Sequence, residues 1–199
     1  MNINPVSFGK AIPVANCNII NKSTNQAEKA TVYEYDCLDE HEDVDEILAL
    51  PDIFYYKNII ADKMQYKHEK AVNWHMTPNS HFYSLKNEQG RTLSVLYTYD
   101  SLNSNGAETV VVDRLQSDTT SPYKYAGQAI LAALCRIREK DAPESIVIKT
   151  AANKAVPFYT DKCGFYKVYN HELELPQSDY AGFIQQTEQK TKGKINTIV

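Results

Sequence analysis

Between His81 and Ser117 the chain runs through strand-like stretches back to back, and this succession limits the fold more than any other feature. "HFYSLKN" (His81–Asn87) and "TLSVLYTYD" (Thr92–Asp100) read as antiparallel strands joined through "EQGR". "NSNG" turns the chain again, and "AETVVVDRLQS" (Ala107–Ser117) is a third strand of the run. A helix follows from near Gly127, with Ile130, Leu131, Leu134 and Ile137 on one face. Asp141-Ala142-Pro143 stops it. "SIVIKTA" is then a short buried strand, "NKAVPFYTDKCG" a short helix and "FYKVYNHELEL" a last strand. Upstream, "ATVYEYDCL" is a first strand. "DEHEDVDEILAL" is a helix with carboxylates at the positive end of its dipole. "DIFYYKNIIADKMQYKHEKAVNW" is a second helix. This order predicts an α/β protein whose mixed, largely antiparallel central sheet is flanked by helices on both faces.

The 199 residues suit one domain. Residues 1–29, rich in Asn, Ser, Thr and Lys, read as a mobile arm or as a strand with a frayed linker. Residues 30–180 form the domain, and 181–199 a polar C-terminal tail. A net charge of −4 argues against a nucleic-acid partner. No apolar run approaches the roughly 18 residues of a membrane helix, and no secretory signal opens the chain. The expectation is a cytoplasmic protein with no membrane partner. Cys17, Cys37, Cys135 and Cys163 form no C-x-x-C pair and read as reduced thiols, with no metal site expected. Nucleophile-elbow, Walker, dinucleotide and zincin motifs are all missing.

The stretch "SPYKYAGQAILAALCRIREK" places Gly127 at the mouth of its helix. A helix N-terminus leaves about four N–H groups unpaired and carries roughly half a positive charge, so it stabilises anions. A glycine there lets a bulky oxyanion approach the backbone, and Ala129 is also small. A glycine that merely caps the helix would read the same.

The context of that glycine is more specific. Lys124-Tyr125-Ala126-Gly127-Gln128-Ala129 lies between strand and helix, followed by a strand and then Asn153, Tyr159 and Gly164-Phe165. From Thr92 to Val168 this resembles the GNAT acetyltransferase superfamily. That family's signature is Gln/Arg-x-x-Gly-x-Gly/Ala. Gly127 and Ala129 match it, while Lys124 keeps the cation but not the planar donor. The resemblance implies acetyl-coenzyme A as cofactor. It implies a diphosphate held by the amides of Tyr125, Gly127, Gln128 and Ala129, with Lys124 beside them. It also implies a pantetheine arm paired with the strand end Asp113–Ser117, including Leu115 and Ser117. Asn153 would bond the pantetheine amides or cap its own helix.

The family's second motif, Asn-x-x-Ala-x-x-x-Tyr-x-x-x-Gly-Phe, carries a tyrosine that protonates the departing thiolate. Here one extra residue separates Tyr159 from Gly164. Counting from Ala155 places Tyr159 in the slot; counting from Gly164-Phe165 places Thr160 there. A phenol suits the chemistry better than an aliphatic hydroxyl. Phe158 and Tyr159 would equally serve as packing.

The resemblance implies an enzyme that moves an acetyl group to a primary amine, of a small molecule or of a protein lysine or N-terminus. Alternatives are a non-catalytic acyl-coenzyme A binder of the same fold, or an interaction protein that has lost the cofactor. Candidate bases are Glu108, Asp113, Asp100 and His81; strand alternation turns Glu108 and Asp113 to opposite faces. The acidic run "DCLDEHEDVDE" would attract a cationic acceptor or simply stabilise a helix start. Trp74, with His75 and Met76, would wall the acceptor site or fill core. The oligomeric state is open.

Overall fold

A computed structural model describes residues 11–35, 42–62, 79–169 and 172–198. Its strands are β1 (Ala11–Asn21), β2 (Ala27–Tyr35), β3 (Ser80–Asn87), β4 (Thr92–Leu102), β5 (Glu108–Ser117), β6 (Tyr123–Lys124), β7 (Ser145–Ile148), β8 (Tyr166–Tyr169), β9 (Glu172–Pro176) and β10 (Asn196–Thr197). They form one sheet in the order β10-β1-β2-β3-β4-β5-β7-β9-β8, with β6 pairing β1. The pairing of β5 with β7 is parallel; the other recorded pairings are antiparallel. The helices are α1 (Glu42–Leu48), α2 (Ala126–Arg138) and α3 (Tyr180–Thr191). One core packs α2 and α3 on the sheet; a second gathers Ile47 of α1, Phe54 and Ile60 around Phe82, Val95 and Tyr97. The protein is thus a mixed α/β fold with helices on both faces of a mostly antiparallel sheet.

Two irregularities position the site. β5 pairs with β7 only over Thr109–Val111, and then the two strands part. β5 also bulges against β4: Tyr97 faces Arg114 and Thr98 faces Val112, so Asp113 has no opposite residue. A bulge bends its strand and re-aims side chains. The strict alternation expected between Glu108 and Asp113 therefore does not hold.

Four segments differ from the sequence reading. Much of 1–29 follows the second of its two readings, a strand, and not the arm: Ala15, Cys17 and Ile19 of β1 are buried at alternate positions. The asparagines between them, Asn16 and Asn18, gave that strand its linker-like composition. The tail at 181–199 contains most of α3 and all of β10. Tyr180, Phe183, Ile184, Thr187 and Thr191 are its buried stripe, hidden in sequence by a polar outer face. The single last strand is a β8–β9 hairpin. Tyr166 and Val168 face solvent whereas Leu173 and Leu175 are buried, and β8 pairs antiparallel with β9. Of the expected second helix, 52–56 form turns and 57–62 are helical. Trp74, His75, Met76, Cys37 and part of the acidic run lie outside the described residues.

Candidate active site

Where β5 leaves β7, a cavity of about 690 Å³ opens. Leu115, Gln116 and Ser117 line it from β5, Tyr125 to Gln128 from the start of α2, and Lys154, Ala155, Phe158 and Tyr159 from the segment after β7. The pairing of β5 with β7 ends at Val111, and from Arg114 to Ser117 the β5 edge has no strand partner on that side among the described residues. Its peptide groups are available there to an extended ligand.

α2 begins abruptly. Tyr125 is left-handed (φ 70°), and no side chain caps the helix. The first helical bond runs from Ala129 N–H to Tyr125 O, at 2.8 Å. Ala126, Gly127 and Gln128 thus keep amides without an intrahelical acceptor. The amide of Ala129, expected in the cradle, is consumed by the helix. A Cβ at Gly127 would lie 2.9 Å from Ser117 Oγ and 3.3 Å from Phe158 Cζ. A side chain at 127 would have to shift both of these cavity-wall side chains. The Gln128 side chain donates to the Lys162 carbonyl at 2.6 Å, tying the cradle to the segment that carries Tyr159.

That segment accounts for the extra residue in the count. Phe158–Lys162 is a π-helical turn. A π turn takes up one more residue than an α turn, which absorbs the residue between Tyr159 and Gly164. Tyr159 reaches the cavity and is 7% exposed. Thr160 does not line it; its hydroxyl bonds Val156 O and Asp161. Burial pushes the Tyr159 phenol well above its ordinary pKa of 10, so it stays protonated as a donor.

Of the residues expected from sequence, the cavity unites Leu115, Ser117, Tyr125, Gly127, Gln128 and Tyr159. Lys124 is exposed on β6, and Asn153 is exposed in a short 3-10 turn; neither lines it. Asp113 does not line it either, and is paired with Arg114 at 3.0 Å. Glu108 stands at the opposite end of β5, beside His81, Asp100 and Arg138, around a different cavity. Sequence reasoning missed Lys22 and Lys154, two cations on the lining. Lys22 follows β1 and donates to the Ser121 carbonyl. No local motif marks it, because β1 pairing with β6 brings it there. The cavity also holds Asp118, which accepts from Arg91 at 2.6 Å and from Thr120. Burial would raise its pKa; those bonds outweigh burial and hold it below the usual carboxylate value.

The sequence matches no known protein-family profile, and no curated protein matches it. Its architecture does match solved structures. A Tyr-to-Phe mutant of the toxin AtaT, bound to the C-terminus of the antitoxin AtaR, superposes with TM-score 0.57 at 12% identity, covering 76% of this chain and 94% of that one. The mutant with AtaR and acetyl-CoA gives 0.57 at 11% identity, covering 78% and 98%. A Tyr-to-Phe mutant of KacT gives 0.50 at 15%, covering 77% and 98%. The chain has the GNAT fold.

The expectation of no nucleic-acid partner does not stand. Structures matched to this fold include a KacTA–DNA complex (TM-score 0.48, 18% identity, covering 58% of this chain and 85% of that one) and the AtaT–AtaR complex bound to DNA (0.46, 16%, 57% and 76%). Net charge is a sum over the chain, whereas contact with nucleic acid depends on local charge, so −4 excludes nothing. No described helix is long and apolar enough to cross a membrane. Burial pushes the Cys17 and Cys163 thiols up to about 12, and Cys135 well above its ordinary value. Such thiols are not thiolate nucleophiles.

Proposed function

We propose that the protein is an acyltransferase that moves an acetyl group from acetyl-coenzyme A to a primary amine, of a small molecule or of a protein. One observation carries this reading: a single cavity joins an uncapped helix N-terminus, an unpaired strand edge and a buried phenol. The donor set fits the cofactor. The Ala126, Gly127 and Gln128 amides, with Lys22 and Lys154, suit a diphosphate. The β5 edge from Val112 to Ser117 suits the amides of a pantetheine arm. The AtaT structure with acetyl-CoA supports the choice of cofactor for this fold.

When bound, acetyl-coenzyme A supplies an acyl thioester. The Tyr159 hydroxyl would donate a hydrogen bond to the sulfur as negative charge builds there, and the proton lost by the amine would leave with the free thiol. Because burial raises the Tyr159 pKa, the phenol acts better as a fixed donor than by giving up its proton outright. Glu108 and Asp113, off the lining, are not assigned as bases.

Isothermal titration with coenzyme A, then free-thiol release across an amine panel, tests the reading. Binding with release of thiol is expected. Absence of binding refutes it, and binding without release in any amine reduces the protein to a coenzyme A-binding module.

A further inference from the structure

One wall of the cavity does not belong to the sheet. Residues 51–57 fold into tight turns, with Phe54 N–H donating to Pro51 O and Lys57 N–H to Phe54 O, each at 2.9 Å. Ile53 and Tyr55 line the cavity, while Phe54 between them is buried in the second core. The link from this segment to β5 is a side chain. The buried Gln116 donates from Nε2 to the Ile53 carbonyl, and its Oε1 accepts the Tyr56 N–H at 3.2 Å. A primary amide offers donor and acceptor in one plane, so Gln116 imitates the peptide group of a neighbouring strand. Beside it, the Arg114 guanidinium lies 5.3 Å from the centre of the Tyr56 ring. Gln116 itself sits on the lining between Leu115 and Ser117.

We propose that Gln116 is a positioning residue: it clamps the 51–57 segment as a cavity wall and so sets where an acyl acceptor enters between Tyr55 and Tyr159. The acceptor half rests on the acyltransferase reading; the clamp does not. Its two bonds reach backbone groups, so the side chain at 116 sets the wall whatever side chains the wall carries.

Hydrogen exchange on the full chain, with no ligand, reads the clamp. The Tyr56 amide is expected to be protected. In Gln116→Met, which keeps volume but removes both polar partners, its exchange accelerates about tenfold, the loss of one hydrogen bond. Leu131 in α2 is unchanged. A wild-type Tyr56 amide that exchanges like free peptide overturns the proposal. So does an unchanged Tyr56 in the variant, or acceleration equal at Leu131. With acetyl-CoA and an amine that the wild type accepts, Gln116→Met raises the acceptor KM about tenfold and the acetyl-CoA KM by clearly less. An equal rise in both overturns the acceptor half. If the wild type binds no coenzyme A, the acyltransferase reading falls and the Tyr56 exchange still decides the clamp.

Discussion

The two ends of α2 face cavities of nearly equal size, about 690 Å³ at the N-terminus and 700 Å³ at the C-terminus, and they differ in kind. At the N-terminus the helix amides have no side-chain cap. At the C-terminus the charged groups around Arg138 pair with one another, and of their buried polar atoms only the Arg138 Nε–H, held in an ion pair with Asp141, has no hydrogen bond among the described residues. Arg138 bonds Asp100 at 2.9 Å and pairs with Asp141 at 3.1 Å, and His81 Nδ1 bonds Glu34 at 2.7 Å. Size alone would make both cavities candidate sites. Unspent hydrogen-bonding capacity separates them: a ligand gains most where donors await partners and least where it must break existing pairs.

The largest break in this comparison is Gly127→Val. Its side chain has to displace Ser117 and Phe158, both on the cavity wall. Overpacking costs about 1–3 kcal/mol, and a shifted cradle loses charge-assisted bonds of about 1.5–3 kcal/mol each. Coenzyme A affinity by titration calorimetry should fall on the order of a hundredfold or more. Unchanged affinity would make this end of the helix as closed as the other. Tyr159→Phe follows. It keeps the ring contacts with Phe158 and Phe165, at 5.0 and 5.7 Å, and removes only the hydroxyl. Thiol release should fall by about a hundredfold, with coenzyme A affinity within about threefold. Thr160→Ala should leave both unchanged.

At the other end, Arg138→Met acts on stability alone. The buried guanidinium leaves Asp100 and Asp141 without their cation. Both carboxylates are partly exposed, so the loss is about 1–3 kcal/mol by chemical denaturation rather than the full cost of a buried pair. Coenzyme A affinity stays as in the wild type. A smaller effect comes from pH. Burial alone would lower the His81 pKa, but the carboxylates of Asp100 and Glu34 outweigh it and leave it above 6.5. A raised folded pKa means that the charged imidazole stabilises the fold fully below pH 6.5. That contribution is lost as pH rises through the folded value. The thermal midpoint should therefore decline above pH 6.5, and His81→Gln should flatten that slope. An equal slope in the variant would remove His81 from the network.

Local pattern carried part of this molecule. The β3–β4–β5 run and α2 were legible because alternation and helical spacing are written within each segment. The cavity residues Gly127, Tyr125 and Gln128, the proposed cradle, were legible because they are neighbours in the chain. Lys22 was not, since only the β1–β6 pairing brings it over. The Tyr159 and Thr160 ambiguity could not be resolved by counting, because a π turn changes the count without changing composition. Asp113 misled for a related reason: a bulge breaks the two-residue period on which its facing was reckoned.

Glu108 is where the smallest effect is expected, and it tests the separation of the two ends most simply. From sequence it was a candidate base because it shares a strand with the cofactor residues. It shares the strand but stands four positions from Val112, the nearer end of the edge proposed for the pantetheine arm, roughly 13 Å at about 3.3 Å per residue. That is far beyond the hydrogen-bond reach a base needs, about 3 Å or one water. Its side chain is exposed beside the Arg138 network. Surface substitutions of this kind shift stability by no more than about 0.5 kcal/mol. Glu108→Gln should therefore leave thiol release within about twofold and the thermal midpoint within a few degrees. A tenfold loss of turnover at unchanged stability would mean that the C-terminal cavity takes part in the chemistry. The paired groups around Arg138 would then have to open during turnover, and the contrast between the two ends of α2 would fail.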